Sequence, residues 1–200
     1  MEAPTRRRRR GRLIPTLLAT LGIGGSTLII WTSSNAAFKA TTKNETNSWS
    51  TGSVALTDND SGSAMFTVNN LAPGGTGTSC IKVTYTGNVG VGVKLYGESL
   101  TAANALDQYI TIKIEESTGA GVTSFGNCAS FDASPTTLFN STLNSFGTTK
   151  TSYATGVSSW APSSNDSRDY RFTYTMDPAA PDSTQGSTAT IKFVWEAQST

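Results

Sequence analysis

Between residue 49 and residue 200, apolar and polar side chains alternate in a series of short runs, and no other feature constrains the fold as strongly. Ile81, Val83 and Tyr85 alternate with Lys82 and Thr84. Val89, Val91, Val93 and Leu95 alternate with Gly90, Gly92 and Lys94. Ile110, Ile112 and Ile114 face away from Thr111, Lys113 and Glu115. Tyr170, Phe172, Tyr174 and Met176 alternate with Arg171, Thr173 and Thr175, and Ile191, Phe193 and Trp195 with Lys192, Val194 and Glu196. Successive side chains of a strand point to opposite faces, so each run has one face for a core and one for water. Strands buried on both faces would read as unbroken apolar runs instead. The prediction is all-β: an antiparallel two-sheet β-sandwich.

The remaining segments are less regular. Val54 and Leu56, then Met65, Phe66 and Val68, predict an opening pair of short strands around the turn-rich Asp58-Asn59-Asp60-Ser61-Gly62. Thr101 to Tyr109 reads as one short helix. Ser117 to Ser167 is polar and is expected to form long loops tied down by Cys128. Residues 38–47, mostly Lys, Thr and Asn, could be a tail or an edge strand, and on composition alone they read as a tail.

The first 36 residues are of another kind. Arg6 to Arg10 and Arg12 precede an uncharged, mostly apolar stretch, Leu13 to Trp31, and Thr32-Ser33-Ser34-Asn35-Ala36-Ala37 follows. Basic, apolar and small-residue regions in that order make a secretory signal. Residues 1–36 are thus expected to be a signal helix removed after Ala36 or Ala37, residues 37–48 an N-terminal segment, and residues 49–200 the sandwich domain. A retained membrane anchor is the alternative, because a spanning helix needs about 20 residues; Pro15, Gly22, Gly24 and Gly25 weaken it. The membrane is then a partner only through the uncleaved signal, and the product is secreted. Six arginines and Glu2 leave with residues 1–36, which takes the 15 basic and 14 acidic residues to 9 and 13, net −4. That balance offers no basic field for nucleic acid.

Two cysteines, Cys80 and Cys128, are most simply one disulfide in an exported chain, with two buried thiols as the other reading. The chain has no histidine, which removes Ser-His-Asp and Cys-His nucleophiles and every imidazole metal ligand. No phosphate-binding glycine loop is present, and no cofactor, metal or enzymatic activity is expected. Glu115 and Glu116 are adjacent, so on a strand they point to opposite faces and make a poor acid/base pair. The Asp58–Gly62 stretch lacks the spacing and distal Glu of an EF-hand and reads as a turn. Asp166 and Asp169 read as solvated loop. Trp195 is in phase with Ile191 and Phe193 and belongs to the core. Trp49 opens the first strand signal, whereas Trp160, beside Pro162 in a polar stretch, is the tryptophan expected at the surface as a contact for glycan or protein.

Several segments together resemble the TasA/camelysin family of exported Gram-positive bacterial proteins. They are the junction Asn35-Ala36-Ala37-Phe38, the strand Trp49-Ser50-Thr51-Gly52-Ser53-Val54-Ala55-Leu56, the turn Asn70-Leu71-Ala72-Pro73-Gly74, the stretch Val83 to Gly90, and the closing Ile191-Lys192-Phe193-Val194-Trp195-Glu196-Ala197-Gln198. The resemblance implies a jelly-roll-like sandwich, processing by a SipW-type signal peptidase, and a structural role at the cell surface or in a biofilm matrix. It also implies donor-strand assembly, in which the segment holding Phe38, Ala40 and Thr42 adds to a vacant edge of the next copy or of a related matrix subunit. Such head-to-tail addition does not close and yields fibres. The alternative function is a monomeric surface-binding module for glycan or protein, with Trp160 and the Ser117–Ser167 loops as its contact.

Overall fold

The alternating runs are strands of two facing antiparallel sheets in a computed structural model that describes residues 39–42, 53–119 and 121–200. In chain order the strands are β1 (Lys39–Thr42), β2 (Leu56–Asp58), β3 (Thr76–Tyr85), β4 (Val91–Ala102), β5 (Ile110–Ser117), β6 (Thr136–Thr142), β7 (Val157–Trp160), β8 (Asp166–Met176) and β9 (Ala189–Ser199). One helix, α1 (Leu143–Thr149), lies between β6 and β7. One sheet runs in the order β1, β9, β4, β7 and the other β2, β3, β8, β5, β6. The pairs β5/β6, β4/β7, β3/β8 and β1/β9 are nested one within the next, which is the winding of a jelly roll, and β2 adds to the edge of β3.

The inward faces are those the alternation assigns. Ile81, Val83 and Tyr85 of β3, Ile112 and Ile114 of β5, and Tyr170 and Phe172 of β8 share one core with Val91, Val93 and Leu95 of β4 and with Trp195 and Ala197 of β9. Trp195 lies 5.3 Å from the Tyr170 ring and 5.9 Å from that of Phe172, so it joins the two sheets. Each such aromatic pair is worth about 1 kcal/mol beyond the area it buries.

Four expectations are corrected. Met65 to Val68 is not a strand: Phe66 sits edge-on to Tyr174 at 5.0 Å and packs, with Met65, against the core from a loop. Thr101 to Tyr109 is not a helix, because Asn104 and Ala105 take positive φ (50° and 55°) after the end of β4; only a 3-10 turn, Leu106–Gln108, remains. Ser117 to Ser167 holds β6, α1 and β7 as well as loop. In α1 the Thr142 hydroxyl accepts from the Ser145 N–H at 3.1 Å, which satisfies a donor the helix leaves open, and Phe146 fills the core. Asp169 is not solvated but fully buried in β8.

The outer face of the five-stranded sheet is covered by residues 121–135. Cys80 and Cys128 form a disulfide with a Cα–Cα distance of 5.2 Å. The Asp169 Oδ2 accepts the Val122 N–H at 2.7 Å, and the Arg171 guanidinium lies 4.6 Å above the Phe131 ring. Burial pushes the Asp169 carboxyl above its ordinary range, opposed by the Val122 and Gly121 N–H groups and by the Lys82 charge. Glu115 and Glu116 do turn opposite ways. Glu115 pairs with Lys113 and with Arg171 (2.8 Å), while the Oε1 of Glu116 accepts from the Ser158 hydroxyl (2.9 Å) and faces the Arg168 guanidinium at 3.0 Å. The arginine and lysine beside Glu115 more than offset its burial and hold its pKa below the usual carboxylate value.

Candidate functional site

β9 is the element on which the functional features meet. Ten of its eleven residues pair with β4 along one side, from Val91↔Ser199 to Ala102↔Ala189, and a bulge leaves out Ile191. On the other side β1 pairs with only four of them, Lys39↔Gln198 through Thr42↔Trp195. The expected vacant lane is therefore filled over Trp195–Gln198 by the chain's own N-terminal segment. Ala189 to Val194 has no strand beside it on that side among the described residues. Ala40 is opposite Ala197 and Thr42 opposite Trp195. Ala36, Ala37 and Phe38, the expected cleavage residues and the first donor-strand residue, lie outside the described residues, as does Trp49.

Beside this edge, on the outer face of the same sheet, is a cleft of about 430 Å³. Tyr96 and Glu98 of β4 and Glu196 and Gln198 of β9 form its floor, and the turn Thr151–Ala154 forms its wall. Alternation explains the floor: Val93, Leu95, Trp195 and Ala197 point into the core, so their neighbours point outward. Glu196 is 1% exposed, and its two carboxylate oxygens are gripped from both sides. The Tyr96 hydroxyl donates to Oε2 at 2.7 Å and the Gln198 amide to Oε1 at 2.6 Å. Burial, and then the bond to Glu196, push the Tyr96 phenol well above its ordinary pKa, so it stays a donor. Burial and the Glu196 charge raise Tyr153 as well.

The wall is set by local chemistry. Ser152 and Thr155 close a capping box around the 3-10 turn Tyr153–Thr155, and the Gly97 N–H donates to the Lys150 carbonyl at 2.7 Å. Tyr153 then reaches back over β4, and its hydroxyl donates to the Gly92 carbonyl at 3.1 Å. Gly92 makes that approach possible, since a Cβ there would lie 2.6 Å from the Tyr153 hydroxyl.

The surface role expected of Trp160 is corrected. It is 1% exposed, paired with Val93 through β7 and packed in the core, with the Arg168 guanidinium 5.9 Å from its ring. Residues of the stretch expected to carry a contact do line the cleft, but they are Thr151 to Ala154. Tyr96, Glu98, Tyr153, Glu196 and Gln198 were not legible as a site. The one signal was the outward polar spacing of Glu196 and Gln198 around Ala197. The Asp58–Gly62 stretch is a turn, as expected, in which the Asp60 carboxylate accepts the Gly62 N–H at 2.6 Å. Among the described residues no group of three or more Asp, Glu or Cys is placed to hold a metal, and no helix is long and apolar enough to cross a membrane. Compared with known proteins, the chain matches no family model, and no curated protein matches it.

Proposed function

We propose that the protein is a secreted structural component of the cell surface or extracellular matrix that assembles into fibres by exchange of its N-terminal strand. The observation that carries this reading is the seat of β1: an N-terminal strand in the edge lane of β9, held through four residue pairs. The backbone hydrogen bonds of such a pair are the same whichever copy supplies the strand, so a second copy's β1 fits the lane as well as the chain's own. Residues 43–55 link β1 to β2 and span about 45 Å when extended, enough to reach a neighbouring copy. Each copy then accepts one strand and gives one, and growth does not close. The resemblance to the TasA/camelysin family and the disulfide, which suits an oxidising compartment, support the same reading. Removal of the signal after Ala36 or Ala37 frees the segment to move.

The test is to express the full chain with its signal, collect the product from the medium, and examine it by size-exclusion chromatography and negative-stain microscopy. Deleting residues 38–47 is expected to leave a folded monomer and no filaments. Filaments that persist without that segment would end the strand-exchange reading.

A further inference from the structure

We propose that Lys82 and Asn59 become joined by an intramolecular isopeptide bond once the sandwich has folded, with Asp169 as the proton carrier. The three residues stand in one row across β2, β3 and β8. Asp58, at the end of β2, is opposite Val83, so Asn59 comes beside Lys82, and its side-chain carbonyl accepts the Lys82 N–H at 3.0 Å. On its other side Lys82 is opposite Asp169. Because its N–H is given to Asn59, Lys82 makes a non-hydrogen-bonded pair with Asp169, the kind whose side chains stand closer. Ile81, Val83 and Tyr170 point into the core, which puts Lys82 and Asp169 together on the outer face. Both neighbours are thus within reach of a long lysine side chain.

The row is full of unmet bonds. Asn59 Nδ2 and Asp169 Oδ1 are buried without a hydrogen-bond partner, and no ion pair among the described residues takes up Lys82. A buried polar atom left unpaired is costly, and an isopeptide bond removes the first of these outright, because Nδ2 is expelled. Burial favours the neutral form of Asp169, so it takes a proton from the Lys82 ammonium and frees the Nζ lone pair. Nζ attacks Asn59 Cγ, and the Lys82 N–H, already on Oδ1, steadies the negative charge that develops there. The Cγ–Nδ2 bond then breaks. The proton that Nζ loses passes through the Asp169 carboxyl to Nδ2, which departs as ammonia. One C–N bond forms and one breaks, nothing is oxidised or reduced, and no co-reactant is needed. The inference does not depend on strand exchange, because neither β1 nor β9 takes part.

The experiment is mass spectrometry of the secreted full-chain product after reduction and digestion with trypsin. Trypsin does not cut after an acylated lysine, so residues 44–94, whose only internal basic residue is Lys82, should stay one peptide. It should be lighter than its sequence by one ammonia and give no fragments from backbone cuts between Asn59 and Lys82. Lys82→Arg should restore the full mass. Asp169→Asn keeps the side chain's shape and an acceptor for Val122; it should slow bond formation at least about a hundredfold, read as the cross-linked fraction over time at an unchanged circular dichroism spectrum. Full mass with cleavage after Lys82 in the wild type, a loss of water that joins Lys82 to Asp169 in place of a loss of ammonia, a deficit that survives Lys82→Arg, or an Asp169→Asn chain cross-linked at the wild-type rate would each overturn the proposal.

Discussion

The outer faces of the two sheets are built on opposite plans. On the five-stranded sheet, residues 121–135 are fastened over β3 and β8 by a covalent bond, a buried carboxylate and an arginine over a ring: Cys80–Cys128, Asp169 with Val122, Arg171 with Phe131. On the four-stranded sheet the covering is partial. A single turn leans over β4 through Tyr153, the floor beneath it is polar, and the strand at the edge is held through four residues. One face is stapled covalently, and the other is held by hydrogen bonds alone, with Tyr96 and Glu196 buried beneath the turn.

That contrast fails if the staple turns out to be worth no more than the edge. Replacing both cysteines with serine should therefore have the largest effect, a loss of about 4 kcal/mol for a closed loop with a separation of 48 residues, read from urea denaturation. Asp60, in the turn beside β2, gives the next. Burial, helped by neighbouring Asp58 and opposed by the Gly62 N–H, pushes its pKa from 3.8 to about 6. A carboxyl with a raised folded-state pKa contributes stability that is full below its unfolded value and is lost as pH rises through the folded one. Melting temperature should thus fall between about pH 4 and pH 6 on account of this residue. Asp60→Asn keeps an acceptor for Gly62 and a donor toward Asp58; it should remove that slope and add about 1–2 kcal/mol at pH 7. A variant whose melting curve keeps the wild-type pH slope would mean the turn is not the source. Deleting residues 38–47 should cost less, about 1 kcal/mol for four edge pairs. A cost equal to that of the disulfide would mean β1 is a fixed part of the sandwich.

What could be read in advance follows from how locally each feature is determined. The core of β3, β5, β8 and β9 was legible because the large apolar side chains of each strand gather on one side, so alternation in sequence is alternation in space. β6 was not: Thr136 to Thr142 is an edge strand exposed or half-exposed throughout, with no face to mark. α1 was hidden by its length, since Leu143 and Phe146 are only three apart and give no further repeat. Trp160 was misread because its burial comes from the register of β7 on β4, where it meets Val93, and nothing beside it in sequence reports that. The cleft was illegible for the same reason. Tyr96 meets a glutamate a hundred positions away, and Tyr153 meets a glycine sixty-one positions away. The edge strand was not legible from composition, which reads residues 38–47 as a tail; only the family resemblance made it a strand, and its pairing with its own β9 was not expected.

Gly92 offers the smallest effect and the sharpest test of the cleft side. Alanine is better suited than glycine to a strand interior, by about 0.5–1 kcal/mol. Here, however, the new methyl would stand 2.6 Å from the Tyr153 hydroxyl, the free end of a flexible side chain that can swing away. Doing so forfeits its bond to the Gly92 carbonyl, worth about 1 kcal/mol, so the two effects nearly cancel in overall stability. Gly92→Ala should unfold at nearly the wild-type urea concentration, yet hydrogen exchange across Thr151–Gly156 should quicken by about fivefold, the equivalent of that lost bond. Residues 121–135 should be unaffected. If exchange quickens on both faces, the two coverings are one cooperative unit and the division between a stapled face and an adjustable one does not hold.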